Sequence, residues 1–311
     1  MSLSLIEAAK LSLNEGKVKE AAIIKQYAES SGILENIKFR NISGNAITYN
    51  REETLPGIGF RGLNESFTES TGVVNPQTES LVISGGDLDV DNFLVQTMGT
   101  DTREVQEMMK VKALSLRWTS TFINGDSVAE PREFDGLKTR LTGTQLIDAG
   151  ATSGGDALSL TKLDELIDQV EDPTHLIMNK AMRRKLTAAS RNNSVGGYIT
   201  YEQDEFGRRL SMYQDLPIIV LDEDANKNKI LPFTEAAPGG GASVSTSIYC
   251  VAFRDFYLEG IQNGGIQTRD LGELDTKASW RTRVEWYTGI MVMNPRAAAR
   301  LQGITDVAVA A

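Results

Sequence analysis

Cysteine and histidine are almost missing from this chain of 311 residues; each occurs once, as Cys250 and His175. A single cysteine excludes an internal disulfide and fits a reducing compartment. A single histidine excludes a two-histidine metal motif within one chain and leaves one candidate general base. No Gly-x-Ser-x-Gly elbow accompanies it, and Cys250 stands in an apolar run where a thiolate nucleophile is disfavoured. No cofactor, metal site or catalytic group is therefore expected, and His175 reads as structural. Positive charge is also short: 32 Lys+Arg against 42 Asp+Glu leave a formal net charge of -10. That argues against a surface made to wrap DNA or dock on anionic membranes. It does not exclude a container whose inner wall repels the DNA it holds. No basic-then-apolar leader and no apolar run of membrane-spanning length is present. A soluble protein made in the cytoplasm is expected. No internal repeat is visible.

What remains is ordinary in bulk, with 41% hydrophobic and 24% charged residues, and long enough for two domain-sized units. Local pattern is more informative. From Ala46 to Gly86 strand-like pieces at Ile47–Tyr49, Val73-Val74 and Leu81–Ile83 alternate with Gly, Pro, Asn and Ser. Large apolar residues are too few there for a core, and an isolated hairpin is marginal in water. Such a limb is expected to become ordered against a neighbouring subunit. Arg51, Arg61, Asn64 and Glu65 lie in it and are the candidates for contact with that neighbour. The two arginines are candidates for intersubunit pairs with carboxylates or are simply solvated.

Ser4–Tyr27 predicts an interrupted, narrow-striped helical arm lying on something else. Thr102–Ile123 predicts a long helix of roughly 33 Å, with Asp101 as cap, Glu104 at capping-box spacing and Asn124-Gly125 as a left-handed stop. Val105, Met108, Met109, Ala113 and Leu116 form one apolar row, and Val111, Leu114, Trp118 and Phe122 form another, so cover on two sides is expected.

From Ser159 to Phe253 the pattern is α/β. Leu163, Leu166, Ile167 and Val170 mark a helix, Leu176–Met178 a strand, and Asn179 the cap of a helix reaching Ala189. Leu216–Leu221 and Ile248–Phe253 are apolar throughout, as in a sheet buried on both faces. Gly265–Lys277 and Ala278–Met293 predict two long antiparallel strands, the second alternating Trp280, Thr282, Val284, Trp286, Thr288, Ile290 and Val292 with Arg281, Arg283 and Glu285. Asn294-Pro295 predicts the start of a short Ala/Arg-rich helix, and the Ala-Val-Ala-Ala end a loose tail.

Four short motifs have functional and plain readings. Gly57-Ile-Gly59-Phe-Arg-Gly62 matches the dinucleotide fingerprint in letters, but lacks the flanking buried strand and helix that make the chemistry. A Gly-rich bend is expected. Gly239-Gly-Gly241 lacks the Gly-Lys-Ser/Thr ending of a phosphate loop and predicts a flexible tip. Asp222-Glu-Asp224 reads as a solvated turn before a metal site. Arg183-Arg184-Lys185 either meets an acidic neighbour or is a solvated helix face.

The order of elements resembles the major capsid proteins of tailed bacteriophages, which have the Hong Kong 97-type fold. The pieces that carry the resemblance are Leu55-Pro-Gly-Ile-Gly-Phe-Arg-Gly-Leu-Asn-Glu-Ser66, Phe122-Ile-Asn-Gly-Asp126, Glu133-Phe-Asp-Gly-Leu137 and Leu176-Ile-Met-Asn-Lys180. It implies an α+β chain divided into an N-terminal arm (1–45), an extended loop (46–86), a peripheral domain with a spine helix (87–149), an axial domain (150–254) and return strands with the C-terminus (255–311). The loop at 232–247 would point to the capsomer centre. It also implies a structural function: homo-oligomeric hexamers and pentamers closing into an icosahedral shell around DNA bound without sequence specificity. Expected partners are a separate scaffolding protein, since only a short arm precedes the loop, with portal and decoration proteins. The expected location is the virion capsid, assembled in the host cytoplasm without membrane contact. Two alternatives stand beside it. One is a bacterial encapsulating compartment of the same fold; the other is a nucleotide-dependent α/β enzyme using Gly57–Gly62.

Overall fold

Long alternating strands need one covered face, and the computed structural model supplies it. The structure describes residues 2–14, 22–26, 31–98, 101–191, 199–203 and 209–310. Strand β1 (Ser2–Ser4) leads into α1 (Leu5–Asn14), and α2 (Gly32–Asn36) into β2 (Lys38–Asn41). A hairpin of β3 (Ala46–Thr54) and β4 (Val73–Ser80) follows, then β5 (Val82–Asp91), α3 (Asn92–Met98) and the 24-residue α4 (Asp101–Asn124). Next come α5 (Leu137–Arg140), β6 (Leu146–Asp148), α6 (Leu160–Gln169), β7 (His175–Asn179) and α7 (Lys180–Ala189). Strands β8 (Ile199–Gln203), β9 (Arg209–Tyr213), β10 (Leu216–Leu221), β11 (Ser245–Val251), β12 (Leu258–Glu273), β13 (Ser279–Val292) and β14 (Ala298–Thr305) complete the chain.

One sheet has the order β1-β2-β12-β13-β5. Along β13 the alternation holds from Thr282 to Thr288, with Trp280 only half-buried. Beyond it Gly289 and Met291 are buried as well as Ile290 and Val292, because Tyr49 of the hairpin base covers the other face there. On the opposite face Arg281 makes paired hydrogen bonds to Asp89 (2.6 and 2.8 Å) and Arg283 to Asp87 (2.6 and 2.9 Å), zipping β13 to β5. Helix α4 covers the buried face. Its Trp118 ring lies 5.7 Å from Phe39 and 5.9 Å from Trp286, and its indole N–H donates to Thr288 Oγ1 at 3.2 Å.

The helix stops where expected but for another reason. Gly125 is not in the left-handed region; a Cβ there would sit 2.2 Å from Phe134 O and 2.6 Å from Thr121 O. Gly136 N–H donates to Gly125 O at 2.9 Å. Two of the sequence pieces that carried the resemblance thus cross backbone to backbone, an approach only glycine permits. The Asp101 cap falls on a side chain outside the described residues, as does Gly16 within the N-terminal arm.

The second sheet has the order β6-β14-β11-β7-β10-β9-β8. Ile177, Ile219 and Tyr249 face the core of α4 and the long strands, while Leu176, Met178, Ile218 and Cys250 face a second core with Leu163, Leu166, Met182 and Leu186 of α6 and α7. Burial on both faces explains the unbroken apolar runs. Asn179 caps α7 as expected, its Oδ1 accepting from Met182 N–H at 2.8 Å.

Two C-terminal expectations fail. The stretch after Asn294-Pro295 is not helical: Ala297, Ala298 and Ala299 are fully buried, and β14 lies between β11 and β6. Alanine's helical preference is worth under about 1 kcal/mol per residue, less than two ladders in a closed core. The end is not loose either, because Ala310 N–H donates to Leu158 O at 2.8 Å and Leu160 N–H to Ala310 O at 3.3 Å. Strand β14 therefore returns to the seven-stranded sheet and does not stay with the long strands.

Candidate assembly surfaces

The hairpin β3–β4 is anchored at one end only. At its base Tyr49 OH and Arg51 Nη2 both donate to Val292 O, at 2.9 and 2.6 Å. Tyr49 is buried with Ile261 and Met291. Arg140 of α5 grips Glu79 through two parallel bonds, one of 2.8 Å. The hairpin closes at Ser80, and Val82–Gly86 already pair with Val284–Thr288 of β13. The projecting part is 46–80, shorter than the 46–86 read from the sequence.

Beyond Thr54 the chain leaves every sheet until Val73. Here Leu55, Ile58, Phe60, Leu63 and Phe67 are 63–108% exposed. Covering a side chain of this size gains about 1.5–3 kcal/mol, so a tip carrying five of them is incomplete alone. Arg61, Asn64 and Glu65 shape it locally. Asn64 takes a left-handed φ of 66°, Glu65 Oε2 accepts from Gly62 N–H at 2.8 Å, and Arg61 donates to Glu65 O at 3.1 Å while covering Phe67. The fingerprint Gly57–Gly62 makes no phosphate cradle. No helix follows it, and a carboxylate already takes the amide an anion would need. Arg51 sits apart from these three, engaged at the base.

A second uncovered surface lies on α4 and α3, of which sequence reading found the α4 row and missed Phe93 and Leu94. The row Val105, Met108 and Met109 of α4 is exposed in the subunit, as are Phe93 and Leu94 of α3. The helix is therefore covered on one side by its own chain, not two. The signal is legible as a second apolar row for which cover is expected, and the subunit's own chain does not supply that cover at Val105, Met108 and Met109.

Arg183 and Arg184 lie on the outer face of α7, with Thr187 and Arg191 around a shallow recess, and make no ion pair among the described residues. Lys185 pairs with Asp306 instead. The structure does not bring Arg183 and Arg184 to the hairpin. Asp222–Asp224 form a turn in which Asp224 Oδ1 accepts from Asn226 and Asn228 N–H, and Asp222 pairs with Lys180. Among the described residues no group of His, Cys, Asp and Glu is arranged to hold a metal. Nor is any helix long and apolar enough to cross a membrane. Gly239–Gly241 is not a free tip: Gly154 N–H donates to Gly240 O at 2.7 Å, and a Cβ on Gly239 would meet Ala151 O at 2.3 Å.

His175 packs against Phe253 with ring centroids 5.5 Å apart, and burial lowers its pKa to about 4. Burial pushes the Cys250 thiol up to about 12. Between pH 4 and the ordinary histidine value of about 6.5 the unfolded chain binds more protons at His175 than the folded one. Its contribution to stability is therefore complete above that ordinary value and lost as pH falls toward 4. His175→Phe is expected to flatten the pH dependence of subunit melting across that window. An unchanged slope would mean that the ring is hydrated in the native state.

Residues 14–163 match the family model described as Major capsid protein GP7. No curated protein matches the sequence. Among solved structures the chain is similar to one in the holo-SrpI encapsulin complex from Synechococcus elongatus PCC 7942. That chain is 15% identical, with a TM-score of 0.65 over 90% of this chain and 89% of the other. It is also similar to a capsid chain of the native GTA particle (13% identical, TM-score 0.61, 89% and 91% covered) and to a chain of Mycobacterium phage Adephagia (11%, 0.60, 89% and 90%). The resemblance to tailed-phage major capsid proteins is thereby borne out, and the α+β, Hong Kong 97-type capsid fold is the fold of this chain.

Proposed function

We propose that this chain is the major capsid protein of a tailed bacteriophage, many copies of which close through hexamers and pentamers into an icosahedral shell around DNA. The observation that carries it is the arm: a hairpin rigidly rooted on β13, ending in five uncovered apolar side chains. A folded monomer gains nothing from such a limb, whereas a shell covers it in every copy. Individually weak contacts repeated around each subunit give strong collective binding. The net charge of -10 suits a wall that encloses DNA without reading its sequence. In this reading the protein resides in the virion, is made in the host cytoplasm, has no catalytic role, and works with scaffolding, portal and decoration proteins. The divisions drawn as spine-helix, axial and extended-loop regions belong to the same proposal.

Purified protein, alone or with its scaffolding protein, is expected to show closed shells by negative-stain microscopy. A species that stays monomeric under all assembly conditions would overturn the proposal. A second reading, a compartment enclosing a cargo enzyme, is favoured by the likeness to the encapsulin complex. Nuclease-protected DNA inside the particles supports the first reading, and a co-purifying enclosed enzyme the second.

A further inference from the structure

We infer that the recess formed by Arg183, Arg184 and Arg191 is a binding site for phosphate groups, which in a shell belong to the backbone of the enclosed DNA. The chemistry of the site stands on the recess alone; the source of the phosphate rests on the shell reading.

Between Lys180 and Arg191 the sequence has five cations and no carboxylate, in a chain whose net charge is -10. The fold neutralises two of them, Lys180 against Asp222 and Lys185 against Asp306. The other three are all arginines. None of their guanidinium groups makes an ion pair or a hydrogen bond among the described residues.

Their positions gather them. Arg183, Thr187 and Arg191 follow at steps of four, and Arg184 and Ala188 form the adjacent row. All five, with Ser211 of β9, line one recess of about 530 Å³, and no acidic side chain lines it. Ala188 is exposed and ends in a methyl group, so the floor between the arginines stays open. Three like charges around one hollow repel one another, and an anion seated among them removes that cost.

Residue type points to phosphate. Where this helix pairs with its own chain it uses lysine, and where it lines the recess it uses arginine. The guanidinium fork is planar and binds an oxyanion through two parallel hydrogen bonds. One carboxylate is satisfied by one fork. Three forks around a hollow suit oxygens carried on one phosphorus centre or repeated along a sugar-phosphate backbone. Backbone amides add nothing, because the recess extends past the carboxyl end of α7, where carbonyls are the free groups. The affinity therefore resides in the arginines. Contacts to phosphate position DNA without reading its bases, and a local cationic hollow in an acidic wall holds DNA at points without gripping its length.

Full-length, unassembled subunits test this. A labelled DNA duplex of about 20 base pairs should bind with log affinity falling against log salt at a slope of roughly −3, near one per arginine. Arg184→Gln should reduce that slope by about one. The triple variant Arg183→Gln, Arg184→Gln, Arg191→Gln should weaken binding by roughly tenfold or more. Its melting midpoint should match wild type, since these side chains lie outside the cores. Pyrophosphate, titrated at matched ionic strength, should displace the duplex from wild type. Pyrophosphate that binds where the duplex does not would overturn the DNA source and support a site for free phosphate compounds. A triple variant that binds both as well as wild type would overturn the site itself. So would wild-type subunits that bind neither while the triple variant fails to assemble, because the recess would then meet carboxylates of a second copy. Duplex binding is read on subunits, so a wild-type protein that never forms shells would remove the shell reading and leave the phosphate site standing.

Discussion

Replacing 55–72 with a four-residue Gly/Ser linker is expected to leave the subunit folded and to abolish shell formation. Thr54 and Val73 are cross-strand partners, so a short loop can close the shortened hairpin without strain. None of the removed residues is in a hydrophobic core. The base contacts of Tyr49, Arg51 and Arg140 remain. Circular dichroism and melting of the variant subunit should match wild type, while microscopy should show no shells. In wild-type protein, amides at 55–72 should exchange rapidly in free subunits and slowly in shells. A variant that unfolds would make the tip part of the subunit's own core. One that builds normal shells would remove the arm from the assembly mechanism.

Val284→Asp is the substitution with the largest expected cost to the subunit itself. Val284 is 1% exposed, within the core that also holds Val111, Trp118 and Trp286. A carboxylate placed there must remain charged without a partner or bind a proton, and breaking burial in this way costs about 3–5 kcal/mol. The melting midpoint should fall by on the order of 10 °C. Ile83→Asp, on the neighbouring strand but exposed, should change it little. Equal midpoints for wild type and Val284→Asp would sink the assignment of this face to the core.

Periodicity made most of the fold legible. The β13 alternation from Thr282 to Thr288, the apolar row through Trp118 and Phe122, and the cap at Asn179 each follow from local chemistry, and the structure places all three as read. The Gly125–Gly136 crossing was legible only as two glycines. Its cause, two backbones meeting at 2.9 Å, joins segments that sequence reading treats separately. For the candidate surfaces, the scarcity of core residues in 46–86 marked a limb that needs partners, of which 46–80 projects. Arg51, in contrast, could not be told from Arg61 by sequence, since only the fold puts one beside Val292 and the other at the tip.

By itself, then, the sequence determined where apolar faces, caps and coreless stretches lie, because those depend on residues three or four apart in a helix or two apart in a strand. Only the tertiary structure decided the fate of Ala297–Ala299 and the C-terminal tail. Local preference favours helix there by fractions of a kcal/mol per residue, and the slot between β11 and β6 outweighs it. The structure alone likewise decided that Val105, Met108 and Met109 are left uncovered. An apolar row on a helix specifies that it must be buried, and the packing around it determines by which chain.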